Sequence, residues 1–147
     1  KVKGEPYVIE YNCRMGDPET EVVIPRITSD LVQHLAAIDK GTLADEQILV
    51  DNRTACTVVV TAGGYPGEYK KGHVITGLEK SLHPDTFVYH AGTKSEQENI
   101  VTNGGRVLAV TSFGETITNA VTKSNQTIDT INFEGKYFRS DVGYEFK

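Results

Sequence analysis

Cysteine is scarce in this chain. Its 147 residues include only Cys13 and Cys56, each inside an apolar, strand-like run and neither with a second Cys or His at metal-ligand spacing. That argues against a disulfide-stapled or zinc-stapled fold, and both residues are expected as buried, reduced thiols of a cytoplasmic protein. Long apolar runs are missing too, so neither a membrane span nor a secretory leader is read from the sequence. There is no basic excess: 15 Lys and Arg stand against 20 Asp and Glu, a net charge of −5, which speaks against a nucleic-acid footprint. The acidic residues are scattered and say little about partners. Repeats, low-complexity tracts and heptads are absent. So is a phosphate loop: Gly63-Gly64-Tyr65-Pro66-Gly67 has no Lys-Ser/Thr pair and no helix pattern after it, so it reads as a structural turn. The chain opens on Lys1 rather than Met and enters a strand pattern within a few residues, with nothing before it to pair. It is therefore expected to be the C-terminal piece of a longer protein.

What is present is organised around residues 7–19, Tyr-Val-Ile-Glu-Tyr-Asn-Cys-Arg-Met-Gly-Asp-Pro-Glu. Aromatic and β-branched residues from Tyr7 to Cys13 predict a strand. Alternation then puts Ile9, Tyr11 and Cys13 on a core face, and Glu10, Asn12 and Arg14 on the other. A carboxylate, an amide oxygen and a guanidinium pointing one way can hold a hard cation and a phosphate against a sheet. Taken alone, such a row describes a solvated strand face more often than a site. The sharp turn at its end, Gly16-Asp17-Pro18-Glu19, adds two carboxylates that a solvated face does not require.

The rest of the chain divides near Asp51 to Thr54. Lys1 to Pro6 reads as a turn, and Glu21 to Ile27 as extended or irregular backbone, since Pro25 is excluded from a helix interior. Arg26 reads as a surface or capping partner. Thr28-Ser29-Asp30 predicts a helix start, Leu31, Val32, Leu35 and Ile38 a core-packing stripe, His34 a surface or capping residue, and Gly41 the stop. From Ala55 onward β-branched residues dominate and glycine punctuates, which predicts a mainly antiparallel β domain. Its expected strands are Ala55–Thr61, Val74–Leu78, Thr86–His90, Ile100–Thr102, Arg106–Thr111 and Ile128–Phe133. Asn103-Gly104-Gly105 is read as a hairpin turn joining the fourth and fifth of these. Ser95 to Asn99 reads as a loop, and a helix with Ile117, Ala120 and Val121 inward is expected to begin at Gly114. His90 is taken as a structural hydrogen bonder. The fold class is thus α+β.

Glu10-x-Asn12-x-Arg14 followed by Gly16-Asp17-Pro18-Glu19-Thr20 resembles the end of the ATP-grasp domain in the phosphoribosylamine–glycine ligase family. Gly64-Tyr65-Pro66-Gly67, His90-Ala91-Gly92-Thr93, residues 101–108 (Val-Thr-Asn-Gly-Gly-Arg-Val-Leu) and Arg139-x-Asp141-Val142-Gly143 resemble that family's C-terminal domain. Two positions depart from its pattern: Ser140, where a second Arg is commoner, and Glu21, where Gln is frequent. The resemblance implies that residues 1–53 end an ATP-grasp domain and 54–147 form a small hybrid-motif-like β domain. It implies ATP-driven joining of glycine to 5-phosphoribosylamine in purine synthesis, with magnesium or manganese held by Glu10 and Asn12 against the ATP phosphates. Arg14 would serve as catalytic and substrate-binding residue, and Asp17, Pro18 and Glu19 would line the substrate, although an acidic turn can equally be a cap. The nucleotide-gripping lysines would lie upstream, and this piece alone is expected to be inactive. Two alternatives stay open: another ATP-grasp carboxylate–amine ligase or carboxylase, and a non-catalytic β carrier-like module. The second would need a lysine at a hairpin tip, which Asn103-Gly104-Gly105 lacks.

Overall fold

The computed structural model describes residues 2–80 and 83–146. Its centre is the strand that carries Val107-Leu108-Ala109-Val110. Strand β5 (Arg106–Gly114) is buried at every position after Arg106, as expected of a strand covered on both faces. β1 (Thr54–Thr61) and β2 (Thr86–His90) flank it antiparallel, with Val58 and Val88 both opposite Val110. The two-residue β6 (Tyr137–Phe138) completes an antiparallel sheet of order β2-β5-β1-β6. In β1 alternate residues Cys56, Val58 and Val60 turn into the core. There they meet Ala120, Val121 and Ile128 of helix α3 (Ile117–Thr130), together with Ile131 and Phe133.

Helix α3 begins where Thr116 accepts from the Asn119 N–H, and its last turn is closed by Lys136, whose Nζ donates to the Ile128 and Ile131 carbonyls. The helix therefore starts three residues after Gly114, which is the last residue of β5. It also runs through Thr130, overturning the strand expected over Ile128–Phe133. Ile131 and Phe133 are two apart and mimic a strand, but Ile128 and Ile131 are three apart, a helical spacing, and burial of Ile128 against the sheet goes with the helix.

The Asn103-Gly104-Gly105 hairpin is likewise not formed. β4 (Asn99–Thr102) pairs with β3 (Thr93–Glu96) around Gln97, in the stretch expected as a loop, and β5 pairs with β1 and β2 instead. The tight primed turn that favours Asn-Gly needs positive φ, and neither Gly104 nor Gly105 adopts it, whereas Gln97 does. The Asn103 N–H instead donates to the Gly92 carbonyl. Val74–Leu78 contributes two isolated bridges, at Val74 and Thr76, rather than a strand.

Before the sheet come α1 (Glu19–Val23), a 3₁₀ turn (Ile24–Arg26) and α2 (Leu31–Lys40). Glu21 to Ile27 is thus mostly helical: Pro25 sits in the first turn of the 3₁₀ segment, where its missing N–H costs nothing. α2 has the expected ends, with Asp30 accepting from the Val32 and Gln33 N–H groups and Gly41 left-handed at φ 69°. Its buried face is not the expected one. Val32, Leu35 and Ile38 are exposed, while Ala37 and His34 are buried. His34 is held by Ser29 Oγ at 2.7 Å and lies 3.3 Å from Glu46, and Ser29 also accepts from the Leu49 N–H. The helix is therefore fixed to the connector, Thr42 to Arg53, through polar groups. Cys56 is buried as expected, and Cys13 is exposed; both are free. No helix of the described residues is long and apolar enough to cross a membrane.

Candidate functional site

The organising stretch is displaced from its expected state. Among the described residues, none of Pro6 to Cys13 pairs in a ladder, and Ile9 and Tyr11 are 96% and 87% exposed. A strand exists only when its backbone groups find a neighbouring strand, and among the described residues no strand pairs with this stretch. The turn Lys3-Gly4, closed by reciprocal Val2–Glu5 bonds, is formed.

Within the segment, Asn12 Oδ1 accepts from the Arg14 N–H at 3.3 Å, and the Arg14 guanidinium donates to the Met15 carbonyl at 3.1 Å. Glu10 is exposed, with no hydrogen-bond partner among the described residues. An amide oxygen has two lone pairs, so Asn12 keeps one beyond its bond to Arg14. A carboxylate and an amide oxygen, both open to solvent, fit a hard cation that takes its other ligands from phosphate and water. No cluster of three or more His, Cys, Asp or Glu converges among the described residues.

The acidic turn is built from its own side chains. Glu19 Oε2 accepts from the Gly16 N–H at 2.7 Å, while the Gly16 carbonyl receives the Thr20 N–H and hydroxyl, each at 3.0 Å. Glu19, the first residue of α1, thus closes the turn ahead of the helix on itself, while the N-cap residue Pro18 makes no side-chain cap bond. Asp17 reaches across the molecule: its carboxylate lies 3.5 Å from Arg106 Nε and its carbonyl accepts from Arg106 Nη1 at 3.1 Å. Pro18 forms part of the wall of a cleft of about 370 Å³, with Tyr65, Arg106, Tyr137 and Arg139 around it. Arg139 is held in a two-pronged pair by Asp141, which depresses the Asp141 carboxyl below its usual range. One Glu21 carboxylate oxygen is buried without a partner, and Tyr89 has its hydroxyl pKa pushed up by burial and then by Glu21. A second cavity, of about 440 Å³, contains His73 beside Glu134 at 3.3 Å and touches none of the acidic turn.

Arg106 and Thr111 were not picked out as partners of the turn by sequence, because the pairs Asp17–Arg106 and Glu21–Thr111 are about ninety residues apart in the chain. Arg26 donates to the Asp51 carbonyl, and Arg53 bridges Asp51 and Asp85 over the Phe113 ring, tying the connector to the start of β2. His90 bonds Thr93, in keeping with a structural role.

The model of the phosphoribosylglycinamide synthetase C-domain family matches residues 55–145, more than half of the chain. The chain belongs to this family. Its similarity to curated proteins extends beyond the C domain. It is 45% identical over 141 residues to the phosphoribosylamine–glycine ligase of Vibrio cholerae, covering 96% of this chain and 33% of that ligase. It is 43% identical over 143 residues to the trifunctional purine biosynthetic protein adenosine-3 of Gallus gallus, covering 97% of this chain and 14% of that protein. The crystal structure of the Thermotoga maritima phosphoribosylamine–glycine ligase superposes with a TM-score of 0.71 at 35% identity, covering 95% of this chain and 34% of that one. The chain therefore spans about a third of the length of the single-function ligases it matches. Its α+β architecture is that of the family's C-terminal region, and the chain corresponds in extent to part of the ligases it matches.

Proposed function

We propose that the chain supplies the closing part of the ATP-grasp site and the C-terminal domain of a ligase that joins glycine to 5-phosphoribosylamine. The supporting observation is that the similarity to phosphoribosylamine–glycine ligases covers 96% of the chain, and so takes in the Glu10 to Glu19 segment outside the C-domain match. We place the division at 53/54. In this reading ATP phosphorylates the glycine carboxylate, releasing ADP, and the amine then attacks the acyl phosphate and expels phosphate. The product is glycinamide ribonucleotide, an intermediate of purine synthesis.

Glu10 and Asn12 would hold magnesium or manganese. A bound divalent ion supplies charge neutralisation on the phosphates of ATP. Arg14, a fixed cation beside them, would stabilise the negative charge on the transferring phosphoryl group. Asp17 and Pro18 would border the substrate, and Glu19 would keep the turn in shape. The adenine pocket and the nucleotide-gripping lysines belong to upstream residues, so the 147-residue chain alone is expected to be inactive. A cytoplasmic setting suits such an enzyme.

The test is turnover by an intact ligase carrying this segment. ADP release is expected to depend on glycine and phosphoribosylamine together. Higher kcat/KM with another acid–amine pair, or turnover by the isolated chain, would refute the reading.

A further inference from the structure

Two side chains of β5 reach out of the sheet to the backbone of the acidic turn and its helix. Arg106 Nη1 donates to the Asp17 carbonyl at 3.1 Å, and Thr111 Oγ1 donates to the Glu21 carbonyl at 2.8 Å. Residues five apart on a regular strand face opposite ways. Here the register shifts between Val60 and Thr61, so that Val60 pairs with Leu108 but Thr61 with Arg106. Thr57 and Thr61 share a face of β1, and their partners Thr111 and Arg106 therefore share a face of β5. One extra residue in the ladder re-aims Arg106 towards the turn, a common use of a bulge beside a functional site. The Thr57 hydroxyl also bonds Thr111 Oγ1. With Thr111 donating to Glu21, Thr57 must donate to Thr111, which fixes the Thr111 hydroxyl in direction.

We propose that Arg106 and Thr111 are positioning residues: they hold the Asp17–Glu21 segment at a fixed height over the C-terminal sheet, so that the segment following Glu10, Asn12 and Arg14 is set by the β domain. The consequence for catalysis rests on the ligase reading above; the brace itself does not.

Hydrogen exchange of the 147-residue chain reads the brace directly. In Arg106→Ala the Thr20 amide, bonded to the Gly16 carbonyl, is expected to exchange about fivefold faster, the scale of one half-exposed charge-assisted bond. Arg106→Lys should recover part of that protection, and amides within the β1–β5 ladder should be unchanged. Thr111→Val, which keeps side-chain shape, should speed exchange at the other end of α1. In an intact ligase, Arg106→Ala is expected to raise KM for the amine or carboxylate substrate while leaving KM for ATP unchanged. Unaltered Thr20 exchange overturns the brace whatever the kinetics do, and faster exchange with unaltered kinetics overturns the positioning role. An enzyme found to use another acid–amine pair would refute the substrate assignment alone, because exchange and the KM split can be read with whichever pair it uses.

Discussion

Gly92, in the His90-Ala91-Gly92-Thr93 motif, sits where two chain segments cross at van der Waals distance. A Cβ built on it would lie 2.5 Å from the Arg106 carbonyl oxygen and 2.6 Å from the Gly104 Cα. Both are backbone atoms, and the bonds from the Gly92 N–H to the Arg106 carbonyl and from the Asn103 N–H to the Gly92 carbonyl tie the segments together. The backbone cannot yield without breaking those bonds. Overpacking of this kind costs about 1–3 kcal/mol, and rigid neighbours put Gly92→Ala at about 3. The loss of unfolded-chain freedom on replacing Gly returns about 0.4–1 kcal/mol. The net destabilisation is about 2 kcal/mol, a fall in Tm of about 4–8 °C for a chain of this size. Gly72→Ala is the control: its φ is +85° but nothing lies within 4 Å of the added methyl, so it carries backbone strain without a clash. Thermal unfolding followed by circular dichroism should place Gly92→Ala below the parent by that margin. A Tm equal to the parent's would refute the close-crossing account.

Three further outcomes follow from the same geometry. Asp51 has its carboxyl held down to about 2 by the Arg53 side chain and N–H, against 3.8 for a free side chain. The folded carboxyl thus binds its proton less readily than the unfolded one. Its stabilisation is complete above about pH 4 and is lost as pH falls through about 2, so Asp51→Asn should flatten the acid limb of a stability–pH curve over that window. Ser29→Ala leaves buried His34 Nε2 and the Leu49 N–H without their shared partner, which should lower urea stability by about 1–3 kcal/mol; an unchanged midpoint would contradict the His34 arrangement. Exposed Cys13 should react with an aromatic disulfide reagent in the native chain, whereas Cys56, buried and with its thiol pKa pushed up by that burial, should react only after unfolding.

Local signals in the sequence were legible where the structure they specify is local. Asp30 and Gly41 mark the ends of α2, and the apolar runs of β1 and β2 stand where their composition places them. Failures arise where a distant partner decides. Tyr7 to Cys13 has a strand's composition but joins no ladder among the described residues. Asn103-Gly104-Gly105 has a hairpin's composition, yet β4 and β5 each found another neighbour. Only Ile131-Asn132-Phe133 alternates as a strand would; Ile128 and Ile131, three apart and packed into the core, keep the first half of Ile128 to Phe133 with the helix. The apolar stripe of α2 was visible, but hydrogen bonds to Ser29 and proximity to Glu46 put the His34 face inward instead. At the candidate site the residue types were readable, while the Arg106 and Thr111 contacts depend on a bulge and on pairs from opposite ends of the chain, which no local pattern encodes.

The most direct measurement is ATP-dependent amide formation by an intact ligase carrying Glu10→Ala or Asn12→Ala, assayed across a magnesium titration. Loss of either oxygen donor should lower kcat/KM on the order of a hundredfold and shift the magnesium requirement upward. Parental turnover at parental magnesium in both variants would contradict the assignment of these two side chains to the metal–phosphate complex.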